Sequence, residues 1–205
     1  MAQKSGEIFI SEVGQVIFPN FAEANTVMVN GKPTGKPQFS ASLLLDPNDT
    51  KELKTAIQRV AKEMFPQTKV NELQLPVHSG DKEAQKAEEK ARDGGFYKGK
   101  LVLKARSDYK PVVVGPDNKE LLDYGSIKSG DYGRLQVFLK AYDVNGNRGV
   151  KAFLTGFMLT EKGERLFGND PQAGFAAYAT TPECSINDTN TDSAEGSGDD
   201  DEMPF

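Results

Sequence analysis

The strongest constraint on the fold is an alternation of apolar and polar residues between Arg134 and Tyr142. One set of alternating positions is apolar and comprises Leu135, Val137, Leu139 and Ala141. The positions between them carry Arg134, Gln136, Phe138, Lys140 and Tyr142. Because successive side chains of a strand point to opposite faces of a sheet, this pattern predicts a β-strand with one face in a core.

Several other segments also have strand character. Between Tyr97 and Arg106 one face carries Leu101, Leu103 and Ala105, and the other carries Lys98, Lys100, Lys104 and Arg106. Further strands are predicted at Glu7–Phe18, at Gln38–Asp46, in a hairpin formed by Pro111–Val114 and Glu120–Leu122, and at Gly149–Thr160. The turn residues Asn145-Gly146-Asn147 precede the last of these strands, as expected for a hairpin.

One helix is predicted after Pro47. Asp49 is the expected N-cap, with Glu52 three residues later as the second half of a capping box. An apolar stripe at helical spacing follows and comprises Leu53, Ala56, Ile57, Val60, Ala61 and Met64. Pro66 ends the helix. The charge-rich residues 80–95 are expected to form an exposed insertion that could include a short helix.

These elements predict a mainly β fold, an OB-like small β-barrel with one α-helix and a disordered acidic C-terminal tail. The pattern alone leaves a β-sandwich open as an alternative. The expected organisation is one domain over residues 1–182, with the charged insertion near 80–95, followed by the tail at 183–205.

The net charge of −5 is unevenly distributed along the 205 residues. Residues 183–205 contain eight acids and no Lys or Arg, so the remainder has 22 acids against 25 bases, a net charge of about +3. A mildly basic body with an anionic arm suits a protein that binds a polyanion, because the arm can compete for the same groove.

The last residues of the tail suggest recognition by a partner. They are Asp199, Asp200, Asp201, Glu202, Met203, Pro204 and Phe205. A terminal aromatic ring beside a free carboxylate suits a small apolar pocket rimmed by Arg or Lys. The alternative is a solvated acidic arm that only aids solubility.

Several functional classes find little support. No apolar run approaches the length of a membrane span, and the first six residues lack the apolar stretch of a secretory signal, so a cytoplasmic protein is expected. The single Cys184 and single His78 offer no metal cluster or catalytic pairing, and His78 is expected in a loop. Phosphate-binding and zinc-protease motifs are absent, so neither cofactor nor metal nor enzymatic activity is predicted.

Exposed aromatic residues among basic ones suggest nucleic-acid binding. Phe138 and Tyr142 lie on the polar face of their strand, where a flat ring can stack on a nucleobase. The bases expected to bind phosphates are Lys98, Lys100, Lys104, Arg106, Arg134, Lys140, Arg148 and Lys151. The alternative is that either ring packs beneath the insertion or beneath residues 163–175.

The sequence also resembles a known family. The stretches Ile127–Tyr142 and Asn145–Leu159, the segments Leu43–Asn48 and Val112–Val114, and the ending Pro204-Phe205 are similar to those of single-stranded DNA-binding proteins of tailed phages. The resemblance implies an OB-fold core and an acidic tail that contacts replication and recombination proteins. It also implies roles in DNA replication, recombination and repair, in the cytoplasm of an infected bacterial host.

The sequence leaves two rival functions open. A phage structural or assembly protein would bind no polynucleotide, and a small metal-dependent nucleic-acid enzyme would require an essential carboxylate. The oligomeric state and any preference between DNA and RNA are not predicted.

Overall fold

Eight strands and two α-helices make up the part of the chain described by the computed structural model, which is residues 6–29 and 32–166. The strands are β1 (Gly6–Ile10), β2 (Gly14–Val29), β3 (Lys32–Leu45), β4 (Val77–Ser79), β5 (Leu101–Ser107), β6 (Val112–Val114), β7 (Tyr132–Val144) and β8 (Asn147–Glu161). The helices are α1 (Lys51–Met64) and α2 (Gly80–Glu88). Short 3-10 turns lie at Val70–Glu72, Gly95–Tyr97 and Tyr124–Ser126.

The strands form a partly closed barrel. β2 pairs with β3, β3 with β5, β5 with β8, β8 with β7, and β7 again with β2. The β5–β8 contact is a single parallel pair and the β2–β7 contact has two pairs, so the circuit is weakest at these two places. The prediction of a mainly β, OB-like fold is confirmed, with a partly open barrel.

The inner face of β7 lies at the centre of the core, as the alternation predicted. Leu135, Val137 and Leu139 are fully buried, and Ala141 is 3% exposed. β8 pairs with β7 along its whole length through the turn at Asn145-Gly146. Both turn residues have positive φ values of 52° and 83°, which a type I′ hairpin turn requires.

The first helix ends before Pro66 as predicted, but it differs from the prediction in its N-cap and in the exposure of Met64. Its N-cap is Thr50 and not Asp49, and no side chain makes a capping hydrogen bond; the Thr50 hydroxyl donates instead to the Pro47 carbonyl. The predicted stripe is buried from Leu53 to Ala61, whereas Met64 is 43% exposed because it lies in the last turn. α1 packs against β1, β7 and β8.

Two predictions about the strands near the N-terminus and before β5 are wrong in detail. The segment Glu7–Phe18 is not one strand, because the chain breaks at residues 11–13 between β1 and β2. Likewise, the strand predicted from Tyr97 begins only at Leu101, because Gly95–Tyr97 forms a 3-10 turn. Lys98 and Lys100 therefore precede β5 and do not lie on its face.

The charged insertion contains a second helix, α2, so the described residues form two α-helices and not the one of the predicted fold class. α2 buries Ala84, which is 2% exposed, and lies against the 3-10 turn at Gly95–Tyr97 and against β4. Phe96 and Tyr97 pack on an outer apolar cluster of Ile17, Leu44 and Val102. Most of residues 80–95 are exposed, as predicted, and the turn that follows α2 covers part of the outer barrel surface with Phe96 and Tyr97.

The remaining predictions about the C-terminal part lie outside the described residues. These are the boundary between residues 182 and 183, the tail, Cys184, and the larger part of the irregular segment 163–175.

Candidate nucleic-acid interface

A row of paired residues runs across the outer surface of the sheet. Ile8 is paired with Phe138, Phe138 with Phe153, and Phe153 with Arg106. The row continues from Arg106 to Ser40 and from Ser40 to Asn20. Because paired residues of neighbouring strands share a face, the row brings apolar, aromatic, basic and amide side chains onto one continuous surface.

A second row places basic and aromatic residues beside the first. Lys140 is paired with Lys151 on one side and with Gly6 on the other, and Tyr142 is paired with Gly149. The Lys151 ammonium lies 5.6 Å from the centroid of the Phe153 ring. We refer to the surface formed by Lys104, Arg106, Phe138, Lys140, Tyr142, Lys151 and Phe153 as the open face.

A groove of about 1060 Å³ lies over part of the open face. One wall is the segment 71–79, which is held to β8 by hydrogen bonds from Gln74 N to Arg148 O and from Val150 N to Gln74 O, of 2.9 and 2.8 Å. Lys82, Glu83 and Lys86 of α2 also line the groove. Its floor includes Lys104, Arg106, Tyr142, Lys151 and Phe153. A smaller cavity of about 210 Å³ continues from Arg106 to Asn20 and Asn25.

The two rings predicted from sequence are both partly covered. The Phe138 ring lies over Gly6, where a Cβ atom would collide with it, so only glycine fits at that position of β1. The Tyr142 hydroxyl donates a hydrogen bond of 2.8 Å to the Gln74 side-chain oxygen, which fixes the ring against the groove wall. Neither ring packs beneath the α2 insertion.

The cations of the open face differ in their surroundings. Among the described residues, the side chains of Arg106 and Lys140 have no hydrogen-bond or ion-pair partner. Lys104 is held by Glu83 at 2.6 Å, and Glu83 also binds Lys86 at 3.0 Å. Burial raises the pKa of Glu83, but the hydrogen bonds from Lys104 and Lys86 outweigh this effect and hold its pKa below the usual value.

His78 lies in β4 and not in a loop, and it lines the groove. Burial lowers the pKa of its imidazole, and the nearby charge of Lys104 lowers it further. The free protein therefore keeps His78 neutral at neutral pH, beside basic side chains that a polyanion would neutralise.

Four of the ten predicted DNA-binding residues lie away from the open face. Lys98 pairs with Glu88 at 3.2 Å, and Lys100 lies 3.7 Å from Asp46. Arg134 donates to the Ser11 carbonyl at 2.9 Å and lies near Glu12, so it fixes the turn between β1 and β2. Arg148 pairs with Asp143 at 2.8 Å and lies over the Phe65 ring, which follows α1.

Six predicted residues do converge on the open face, and sequence reasoning missed others. The six are Lys104, Arg106, Phe138, Lys140, Tyr142 and Lys151. The alternation of Lys151, Phe153 and Thr155 with buried residues along β8 could have revealed Phe153. Nothing local in the sequence indicates that Lys82, Lys86 and His78 lie on the same groove.

The described residues form neither a metal-binding cluster nor a membrane-spanning helix. In residues 6–29 and 32–166 there is no group of three or more His, Cys, Asp or Glu side chains that could hold a metal ion. No helix in the same ranges is long and apolar enough to cross a membrane.

Comparison with known proteins identifies similar chains. The family model described as "Enterobacter phage Enc34, ssDNA-binding protein" matches residues 8–184. No curated protein sequence matches the chain.

Solved structures share the fold at low sequence identity. The C-terminally truncated single-stranded DNA-binding protein of bacteriophage Enc34 is 16% identical, with a TM-score of 0.61 over 78% of this chain and 88% of that one. The same phage protein in complex with ssDNA is 15% identical, with a TM-score of 0.59 over 78% and 89%. The single-stranded DNA-binding protein gp2.5 of bacteriophage T7 is 17% identical, with a TM-score of 0.58 over 91% and 100%.

Proposed function

Because this chain belongs to the family of the Enterobacter phage Enc34 single-stranded DNA-binding protein, we propose that it binds single-stranded DNA on the open face without sequence specificity. The observation that carries this proposal is the groove of about 1060 Å³, which brings Arg106, Lys151 and Phe153 together from two strands. Such a combination of cations and rings suits a polyanion with flat bases.

The chemistry of binding follows from the two kinds of side chain. Rings such as Phe153 and Tyr142 stack on bases, and every base has a π-face, so stacking tolerates any sequence. Arg106, Lys140 and Lys151 neutralise phosphates and release condensed counterions, so affinity falls as salt rises. Neither interaction reads the hydrogen-bonding edges of the bases.

The wider biological role rests on the sequence. We infer that the protein coats DNA exposed in replication, recombination and repair in the cytoplasm of the infected host, and that it catalyses no reaction. Its acidic tail, including Asp199–Phe205, would compete with DNA for the basic surface and recruit replication proteins. The eight acids of residues 183–205 support this role for the tail.

The experiment that tests DNA binding is a titration of labelled, unstructured oligonucleotides with the full chain at several salt concentrations. We expect binding that does not depend on the oligonucleotide sequence. The logarithm of the affinity should fall linearly with the logarithm of the salt concentration. A structural or assembly protein would show no such binding, and a metal-dependent nuclease would degrade the oligonucleotide when divalent cations are added. Either of these results would replace the proposal.

A further inference from the structure

A second cleft lies between α2 and the start of β2, next to the groove, and we call it the side cleft. Its volume is about 510 Å³, within the roughly 300 to 1,000 Å³ typical of small-molecule sites. The residues that shape it most are Phe18, Lys86, Lys90, Arg92, Phe96 and Tyr97. It therefore combines rings with cations, as the open face does.

Two of the three cations of the side cleft, Lys90 and Arg92, are available to bind an anion. Among the described residues, the side chains of Lys90 and Arg92 have no hydrogen-bond or ion-pair partner. The carboxylates nearby are Glu83, which binds Lys86 and Lys104, and Asp93, which accepts a hydrogen bond of 2.8 Å from Gly95 N. The side cleft thus has more positive than negative side chains, and a phosphate would be attracted to the Lys90 and Arg92 end.

One of the rings of the side cleft belongs to a residue with an uncommon backbone conformation. Phe18 has a φ of 50°, in the left-handed region that large side chains rarely adopt, and it is 50% exposed. A hydrogen bond of 2.9 Å from its backbone N–H to the Ser129 hydroxyl holds this conformation. The Phe96 and Tyr97 rings lie 4.1 Å apart, centroid to centroid. Strained backbone conformations cluster at active sites and ligand-binding sites.

The side cleft is continuous with the open face. Glu83 and Lys86 line both the side cleft and the groove. On the other side, Asn20, the last residue of the cross-strand row, follows Phe18 by two residues and is within hydrogen-bond distance of its carbonyl, at 3.4 Å. A strand of DNA that leaves the open face at either place meets the side cleft next.

We propose that the side cleft binds an unpaired nucleotide, with its base against the rings of Phe18, Phe96 and Tyr97 and its phosphate on Lys90 and Arg92. The charged insertion thereby extends the DNA-binding site beyond the barrel. This inference rests on the proposed function, because the nucleotide belongs to the same DNA strand that the open face holds.

Tryptophan fluorescence can test each site separately, since the natural chain contains no Trp. Phe18→Trp places a single reporter in the side cleft, and Phe153→Trp places one on the open face. Stacking on a base quenches the reporter. In a length series of oligo(dT), short oligomers should quench only the Phe153→Trp protein, and longer ones should quench both.

A charge-removing variant provides a second measurement that does not depend on the Trp substitution. Lys90→Ala/Arg92→Ala should weaken binding of long oligomers and lower their salt slope by about 1.4, which is about 0.7 for each lost phosphate contact. Binding of the shortest oligomers should not change. The matched control is Lys51→Ala/Lys62→Ala, which removes two exposed lysines from α1, away from both sites.

The outcomes distinguish this inference from the proposed function. Quenching of Phe153→Trp but never of Phe18→Trp, together with a double variant that matches its control, would overturn the side cleft and leave the open face intact. If neither reporter is quenched by any oligomer, the proposed function itself is wrong. If Phe18→Trp responds to removal of residues 183–205 and not to DNA, the side cleft binds an acidic peptide, and the inference is wrong.

Discussion

Two groups of basic side chains on this barrel have similar sequence neighbourhoods and very different surroundings. Arg106, Lys140 and Lys151 lie beside partly buried rings on the open face, and none of them has a carboxylate partner in the described residues. Lys98, Arg134 and Arg148 each lie beside a carboxylate at 2.8 to 3.3 Å and away from those rings. Both groups looked equally suited to DNA in the sequence.

Under the proposed function, this difference predicts that position selects the DNA-binding cations more than charge does. Ion pairs at the surface are weak, about 0 to 1 kcal/mol, so a carboxylate partner alone would not exclude Lys98 from DNA. Lys98 differs from Arg106 in its place, because it follows Tyr97, which lines the side cleft, and it does not line the groove. A phosphate bound there would have no base-stacking site within the groove, whereas one bound at Arg106 lies next to Phe153.

The largest expected effect comes from removing a ring of the open face. Phe153→Ala should weaken binding of single-stranded DNA by about 1 to 3 kcal/mol, because one stacked base is lost. Fluorescence anisotropy with labelled oligo(dT) measures the change. The control is Tyr132→Ala, which removes a ring at the start of β7, outside the open face. This variant should bind DNA as tightly as the natural chain. Unchanged affinity of Phe153→Ala, with an unfolding midpoint near that of the natural chain, would contradict stacking on the open face.

Removing single cations should separate the two groups directly. Arg106→Ala and Lys151→Ala should each lower the salt slope of binding by about 0.7, because each loses one phosphate contact on a single strand. Lys98→Ala and Arg148→Ala should leave the slope unchanged. Titrations at four or more salt concentrations give these slopes. Equal slopes for all four variants would remove the distinction between the groups.

A smaller effect, in the opposite direction, is expected for Glu83→Gln. The carboxylate holds Lys104 and Lys86 at 2.6 and 3.0 Å, so DNA must displace it to reach either lysine. Its neutralisation should tighten DNA binding at low salt by about 1 kcal/mol, the upper end of the range for ion pairs near a protein surface. Weaker binding of this variant would show instead that Glu83 positions Lys104 for phosphate.

The smallest expected effect is a pH dependence from His78. Burial, followed by the charge of Lys104 and that of Lys86, lowers its pKa below 6.5, and Glu83 opposes this in part. The contribution of neutral His78 to folding stability is therefore fully present above pH 6.5. It is lost as the pH falls through the lowered pKa of His78 in the folded protein. A phosphate in the groove favours the charged form, so DNA binding takes up a proton there.

When the pH falls from about 7.5 to about 5.5, the DNA affinity of the natural chain should therefore rise more than that of His78→Gln. The two increases should differ by less than about tenfold. Parallel titrations of the two proteins at these pH values measure the difference. The same pH dependence in both proteins would mean that His78 does not respond to DNA.

Local patterns predicted the strands and the core well, because alternation along β7 and the stripe of α1 depend only on neighbouring residues. The binding surface depends on pairing between distant segments. The contact that joins Arg106 to Phe153 is a single parallel pair between β5 and β8, and no local pattern encodes it. Similarly, the alternation before β5 placed Lys98 on a strand face, whereas the turn at Gly95–Tyr97 delays the strand to Leu101.

The most direct test of the central claim is to map where single-stranded DNA contacts the full chain. Photo-crosslinking with halogenated oligo(dU), followed by mass spectrometry of the adducts, identifies the contacting residues. Binding on the open face predicts adducts at Phe153 and Tyr142. Adducts confined to the surface around Lys98, Arg134 and Arg148, with none on β7 or β8 at the open face, would contradict it.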